Sequence, residues 1–398
     1  MKILYVAPYL SENYRLLQGN VDVGGSLAAQ RKIELMCELL SNLGHSIRIL
    51  SSITLNPPKS SIWRESYREH IACGGHLIEV SYPSTFQVRP FGGILNTLRA
   101  RQIAKRLNRS FHPDTVIIYN SYLFEFIVAS WYRFHCDTPI LLEIEDLPLA
   151  RRRGWLNIKP WLDQQCWNKL MDITTGFTAV NARIQALLPK SKPTVLLPGI
   201  LDQRLIECAK NRETPFSGPR RILGYFGGLS EAKGVGVLLE LAKILPHPWE
   251  IVVCGSGDLS PLFREATYQQ DSRIHYFGTL PVEEMYNLLC NCDCTLVPPE
   301  NISGDGSAVF PFKIFEYAAA NTHIIAPQIG AMDGCDYAYI QRWDGQVNSL
   351  PRLLVEAESD FSKENYVRNH FSAKVVDCYS IDGITSQIYA LLECINCK

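Results

Sequence analysis

Four stretches of this chain carry residues whose type and spacing can do chemistry. In FGGLSEAKG (226–234), two glycines, Gly227 and Gly228, and a short loop lead from an apolar run to Lys233, which the pattern places at a helix start. An ammonium there can meet a diphosphate. The helix dipole disfavours a cation at that end, so a bound anion gives the lysine a reason that a solvated side chain lacks. In ENISGDGSAVFPFKIFEYAAA (300–320), polar, glycine-bearing residues including Asp305 lead through Pro311 into a helix carrying Lys313 and Glu316. Unpaired amides near Val309 and Phe310 can point at a phosphate, and Glu316 can accept hydrogen bonds from two vicinal hydroxyls such as those of a ribose. Phe315, Tyr317 and three alanines make this helix largely buried, and a buried carboxylate needs a partner.

The other two stretches lie nearer the N-terminus. Gly24 and Gly25 stand between a first strand and its helix, where backbone amides can approach an anion; a plain flexible loop explains them equally well. LEIEDLP (142–148) brings Glu143, Glu145 and Asp146 to a strand end, where carboxylates can bind sugar hydroxyls or stabilise positive charge developing at an anomeric carbon. Alternation turns Glu143 and Glu145 to one face and Asp146 away. Glu145 and Asp146 are not separable as the catalytic carboxylate, and a helix cap at Asp146 is the competing reading.

These stretches need a scaffold, and the periodicity supplies one. Residues 2–7 are a continuous apolar run ending before Pro8, as in a strand covered on both faces. From Gly25 a helix follows, with Ile33, Met36, Leu40 and Leu43 on one side and Gly44 at its stop, and residues 46–51 form a strand again. Strands at 77–80, 115–119 and 140–144, with a basic helix around 98–107, continue the alternation of a parallel doubly wound sheet. A turn-rich stretch at 198–219 reads as a linker, after which strand 221–226, a glycine turn, helix 234–245 and strand 250–254 begin a second Rossmann-like unit. Ile381, Ile384, Ile388 and Leu391 mark a final amphipathic helix. The expected division is an N-terminal domain, 1–205, joined by a C-terminal helix at about 372–398; a linker, 206–219; and a C-terminal domain, 220–371.

Composition excludes several classes. With 398 residues, 46% apolar and 20% charged, the chain suits two packed domains, and a net charge of −1 offers no broad attraction to nucleic acid. Thirteen scattered cysteines, including Cys290, Cys292 and Cys294 and a lone C-x-x-C at Cys394 and Cys397, fit reduced thiols in the cytoplasm better than a disulfide framework or a zinc site. The apolar start lacks the flanks of a signal peptide, and no run is long and clean enough for a membrane span. Arg99, Arg101, Lys105, Arg106 and Arg109, with Arg151, Arg152 and Arg153 before Trp155, make a basic surface that is either solvated or a contact for an anionic lipid at the inner membrane face.

In order and spacing the chain resembles the retaining glycosyltransferases of family four, which have the GT-B fold. The likeness runs through Gly24–Gly25, Pro198–Gly199, GGLSEAKG, VVCGSGDL, IHYFGTLP, CDCTLVPPE and FPFKIFEYAAA. It implies two facing Rossmann-like domains with parallel sheets and a C-terminal helix crossing back to the first. It also implies transfer of a sugar from a nucleotide-diphosphate sugar to a hydroxyl acceptor with retained configuration, in polysaccharide or glycoconjugate assembly. No cofactor and no metal are expected, the donor being a co-substrate. By the same resemblance Lys233 contacts the diphosphate and helps its departure, and Glu316 is the second glutamate of the E-x7-E motif, holding the ribose. The amides of Val309 and Phe310 and the Gly24–Gly25 loop bind phosphate, Gly255 and Gly257 form a glycine-rich turn, and Leu280 lies near the base. Three positions depart from the pattern: Gly228 replaces a frequent arginine, Ala308 replaces the first glutamate, and LEIEDLP replaces a common histidine. Asp305 or an amide of the 304–307 loop is left to meet the donor sugar. Two alternatives stay open, a nucleotide-sugar epimerase of the same architecture and a degenerate nucleotide-binding subunit.

Overall fold

A computed structural model describes residues 1–18, 27–53, 63–86, 92–147, 159–212, 219–269, 272–299, 312–327 and 340–397. These divide into two compact units, residues 1–200 with 384–398, and residues 201–383.

The first unit is built on strands β1 (Lys2–Ala7), β2 (Ser46–Ser51), β3 (Trp63–Arg64), β4 (Tyr67–Cys73), β5 (His76–Tyr82), β6 (Thr85–Phe86), β7 (Thr115–Tyr119), β8 (Ile140–Ile144), β9 (Gly176–Ala179) and β10 (Thr194–Leu196). Eight form one sheet in the order β10-β9-β8-β7-β1-β2-β5-β4, parallel except for β4, while β3 and β6 pair separately. The apolar run of β1 is central, and Ile3 to Ala7 are buried, as both-face coverage requires. Strand order reverses direction between β1 and β7, the place where doubly wound sheets open a crevice beyond their carboxyl ends.

Edge strand β4 is a departure from the sequence reading. Its burial alternates between half-buried and exposed residues, so it lacks the apolar run that marked the other strands. Only its pairing with β5 defines it, through a two-residue turn in which Gly74 (φ 53°) and Gly75 (φ 83°) both take the left-handed conformation that glycine adopts without strain. The basic segment departs too. Arg99 stands between helices Gly92–Leu98 and Ala100–Phe111, donates to Ser84 O at 2.7 Å and Ser84 Oγ at 2.8 Å, and lies 4.8 Å from the Trp63 ring centroid. It is an internal clamp, while Arg101, Lys105, Arg106 and Arg109 are exposed. Arg151, Arg152, Arg153 and Trp155 lie outside the described residues.

The second unit is an all-parallel sheet of β11 (Arg221–Phe226), β12 (Trp249–Cys254), β13 (Ile274–Tyr276), β14 (Cys294–Leu296), β15 (His323–Pro327) and β16 (Gln341–Trp343). Its order, β13-β12-β11-β14-β15-β16, is that of a dinucleotide-binding fold, reversing between β11 and β14. Alternate residues enter two separate cores: Phe226, Val252 and Cys254 on one face, Leu223, Tyr225, Ile251 and Val253 on the other. Both faces are therefore covered by helices. The cysteines at 290, 292 and 294 are buried free thiols, and the one at 397 is exposed.

The stretch read as a linker contains a helix, Gln203–Lys210. Its turn-rich composition concealed an amphipathic turn pair in which Leu205 and Ile206 are buried. Asp202 caps it, accepting from Arg204 N at 3.0 Å, and also accepts the Tyr286 hydroxyl at 3.1 Å. The chain ends in helix Leu350–Tyr379, a break at Ser380 (ψ 163°), and helix Ile381–Asn396. Ile381, Ile384, Ile388 and Leu391 are all buried, and Asn396 accepts from Thr115 Oγ1 at 3.0 Å within the first unit. No described helix is long and apolar enough to cross a membrane.

Removing Asp202 tests the cap. Asp202→Ala deletes an N-cap acceptor and takes an acceptor from a buried tyrosine hydroxyl, so unfolding should become easier by about 2–4 kcal/mol. Denaturant titration followed in the second unit measures it, and a loss below about 0.5 kcal/mol would show the contacts to be idle.

Candidate functional site

In the second unit, the loops that follow β11, β12 and β13 are stitched to one another. Gly227 N donates to Cys254 O at 2.9 Å, Leu229 N to Ser256 O at 2.9 Å, and Gly255 N to Gly278 O at 2.7 Å. Gly255 has φ 144°, and a Cβ there would lie 1.8 Å from Gly227 O, so close backbone approach alone requires glycine. Gly228 is exposed, with open space where a side chain would stand.

Lys313 and the turn that carries Lys233 reach this strand end by different routes. Lys313, in the first turn of helix Lys313–Ala319, lies over the Tyr225 ring, its Nζ 4.5 Å from the centroid and 3.3 Å from the hydroxyl. Tyr225, fully buried, in turn donates to Gly228 O at 2.9 Å. The ring thus holds an ammonium beside Gly227 and Gly228 by its quadrupole. Lys233 is not at a helix start. It closes a 3-10 turn, Glu231–Lys233, and the following α-helix begins only at Val237. The unfavourable dipole that marked Lys233 in the sequence is therefore absent; at the end of its short turn a basic residue is tolerated. Gly234, in the left-handed conformation (φ 65°), packs the turn against Pro299 O, just beyond β14. Lys233 thereby belongs to the reversal between β11 and β14.

Glu316 follows Lys313 by three residues, on the same side of the helix, and is half-buried. Tyr317, fully buried, accepts from Phe226 N at 3.1 Å and anchors this helix to the end of β11. Leu280 is half-buried and packs against the core on the Phe226 side of the sheet. Asp305, Ala308, Val309, Phe310, Gly24 and Gly25 lie outside the described residues.

In the first unit, the strand end of LEIEDLP carries a buried ionic cluster. Glu143 is fully buried on β8, and its Oε2 accepts the Tyr5 hydroxyl from β1. Lys32, from helix Leu27–Asn42, lies 3.2 Å from Glu143 Oε1, pairs closely with Glu145 Oε1, and reaches Leu197 O at 3.5 Å. Asn120 shapes the turn beyond β8. In the left-handed conformation (φ 60°), it donates from its backbone to Glu143 O at 2.8 Å, and its Oδ1 accepts from Glu145 N at 2.8 Å and Asp146 N at 3.1 Å. Asp146 is exposed, and no described helix begins at it.

Two carboxylates share one ammonium here, and the electrostatics follow. Burial raises the Glu145 carboxyl, Lys32 pulls it down, and the Glu143 charge raises it again, so that it titrates at about 7. Burial lowers the Lys32 ammonium, but Glu145 and Glu143 outweigh that and hold it above its ordinary range. Burial also raises Tyr119, with further push from Glu145 and Glu143. Lys32, Tyr5 and Asn120 escaped the sequence reading. Lys32 stands four residues before Met36 on the apolar stripe of its helix, a charge where the pattern calls for a core residue.

Among the described residues no group of three or more His, Cys, Asp or Glu could hold a metal ion. Residues 220–350 match the model of the family Glycosyl transferases group 1. A search of curated protein sequences returns no match. Among solved structures, the sucrose-phosphate synthase of Thermosynechococcus elongatus superposes with a TM-score of 0.68 at 12% identity, covering 99% of this chain and 98% of that one. HepE of Anabaena, solved with UDP and glucose, gives 0.66 at 15% identity, with 99% of both chains covered. The catalytic domain of starch synthase IV from Arabidopsis thaliana, bound to ADP and acarbose, gives 0.57 at 12% identity, covering 100% and 99%. The chain has the GT-B fold, two Rossmann-like α/β units with parallel sheets.

The glycine contacts and the carboxylate cluster each make a prediction. Gly255→Ala drives a methyl into a carbonyl and should destabilise the second unit by more than about 3 kcal/mol, whereas Gly228→Ala should change stability by less than about 0.5 kcal/mol. Equal melting temperatures for the two variants would refute that contrast. For Glu145, the folded-state value lies above the ordinary 4.5, so the native state keeps a proton that the unfolded chain has lost. The stability tied to it is complete below pH 4.5 and is lost as pH rises through 7. Denaturation between pH 5 and 7.5 should therefore show the wild type losing stability relative to Glu145→Gln, by at most about 1.4 kcal/mol per pH unit. Parallel pH profiles would exclude it.

Proposed function

We infer that this chain is a glycosyltransferase that moves a sugar from a nucleotide-diphosphate sugar to a hydroxyl acceptor. The observation that carries the reading is the convergence of Lys313, the Gly227–Gly228 turn and the Lys233 turn on the β11–β14 reversal, within the residues matched by the group 1 model. Such an end binds anionic ligands, and cations beside it stabilise a departing diphosphate without a metal. In this reading Lys233 and Lys313 meet the diphosphate, with the amides of Val309 and Phe310 and the Gly24–Gly25 loop. Glu316 takes the ribose hydroxyls, Leu280 borders the base, and Asp305 meets the donor sugar in place of the glutamate missing at Ala308. The solved structures of HepE with UDP and glucose and of starch synthase IV with ADP support a nucleoside diphosphate as the common element of the donor.

The acceptor falls to the first unit, where Glu145 and Asp146 stand at a strand end beside the reversal between β1 and β7. Retained configuration, and a place in polysaccharide or glycoconjugate assembly, extend the reading. The exposed Arg101, Lys105, Arg106 and Arg109 support contact with an anionic lipid surface. Gly228 and Ala308 favour one second reading, a subunit that binds nucleotide without turnover.

A thermal-shift panel of nucleoside diphosphates and their sugars, followed by product analysis with and without acceptors, tests the proposal. At least one nucleoside diphosphate should raise the melting temperature, and Glu316→Gln should weaken its binding roughly 10-fold through impaired hydroxyl contacts. Binding without turnover would leave the second reading standing, and conversion of donor alone would mark an epimerase. The transferase is refuted if no sugar nucleotide is turned over and Glu316→Gln leaves nucleotide binding unchanged.

A further inference from the structure

The ionic cluster of the first unit holds more than an acceptor-side carboxylate needs for structure alone. Glu143 is buried and already accepts from Tyr5, and the Lys32 side chain is only 11% exposed. Lys32 reaches both carboxylates from a different element, the helix that follows β1. Glu145 lies beyond the last residue of β8, its backbone fixed by Asn120 and its Oε1 by Lys32, and among the described residues its Oε2 makes no hydrogen bond. One oxygen is clamped and the other is not, on a side chain that keeps 15% of its surface exposed at the strand end.

We propose that Lys32 is a positioning residue, clamping Glu145 through Oε1 so that Oε2 can take the proton of the acceptor hydroxyl. This rests on the transferase reading for its substrate. In the step, the acceptor oxygen forms its bond to the anomeric carbon on the face from which the diphosphate departs, as retained configuration requires, while the bond from that carbon to the diphosphate oxygen breaks and its electron pair leaves with the diphosphate. The hydroxyl proton passes to Glu145, which ends as the neutral acid. Lys32 stays an ammonium throughout, and its charge opposes the upward push that burial and the Glu143 charge put on the Glu145 carboxyl. The charged and titratable groups that interact with Glu145 are Lys32 from its helix, Tyr119 from β7, Glu143 on β8 and Asp146 in the turn.

The test reads Glu145 directly. Carbon-13 spectra of the full chain labelled at glutamate side-chain carboxyls, with Glu145 assigned by its loss in Glu145→Gln, give its titration midpoint without any substrate. Lys32→Met should raise that midpoint by at least one pH unit, and Lys32→Arg should bring it back toward the wild type. Should Lys32→Met fail to fold, Glu143→Gln, which removes the like charge, must lower the midpoint instead. A midpoint unmoved by these changes overturns the proposal. With a donor from the panel that is turned over, Lys32→Met should cut kcat at least 10-fold and move the acidic limb of the pH profile upward. Binding of UDP, or of whichever nucleoside diphosphate the panel selects, should not change. An unshifted limb would also overturn the proposal, whereas absence of turnover in the wild type defeats the transferase reading and leaves the titration arm to decide this one.

Discussion

Two carboxylates and one ammonium, taken out of water at the end of a central strand, set the terms for the first unit. A buried charge is costly unless paired and hydrogen-bonded, and here the pairing is drawn from separate parts of the chain. Glu143 has the Tyr5 hydroxyl on one oxygen and Lys32 on the other, and Glu145 has Lys32 alone. Those contacts require β1, β8 and the helix Leu27–Asn42 to keep their mutual positions. They also require the chain to leave β8 in one direction, which Asn120 secures by accepting two successive amides at the strand end. An apolar cluster of the same volume would be as stable or more so.

The second unit meets a different constraint, the close approach of backbone to backbone. The loops after β11 and β12 touch at Gly227 and Gly255 with no room for a side chain, and Gly234 brings a third segment against Pro299 in the same manner. With the loops this tight, the strand end presents amides and glycine surface in place of side chains. The cations must then arrive from neighbouring elements, as Lys313 does across the face of Tyr225. Tyr225 serves two purposes at once: its ring carries the ammonium, and its hydroxyl ties down Gly228 O.

Much of this was legible in the residues, and what was not has a common cause. Strands β1, β2, β7, β8, β11 and β12 announced themselves as apolar runs because both their faces are buried, and the last helix by four isoleucine and leucine positions that are all in the core. Strand β4 was invisible because its residues alternate into solvent and only the partner across Gly74–Gly75 makes it a strand. Helix Gln203–Lys210 was hidden by the prolines and glycines near it, although Asp202 before an apolar pair was a readable start signal. At the site, residue types at strand ends could be picked out, since that is where doubly wound sheets bind. Their partners could not: Tyr5 and Glu143 are 138 residues apart in sequence, and Lys32 and Glu145 are 113 apart. Gly255, placed by resemblance in a glycine-rich turn, is also required by its contact with Gly227 O, which no sequence spacing could show.

The two strand ends differ in the sign of their charge, and this divides the chemistry between them. The end of β11 holds the Lys313 ammonium and the Lys233 turn on a backbone scaffold, which suits an anionic ligand and would repel a cation. The end of β8 holds two carboxylates against one lysine, a net negative and buried set that repels phosphate and favours hydroxyl donors. A single anionic substrate could not satisfy both ends. In the transferase reading we propose, a pair of substrates, one carrying a diphosphate and one presenting a neutral hydroxyl, satisfies each with the charge it lacks. The reversal of strand order supplies both places, and the side chains at each decide what binds there.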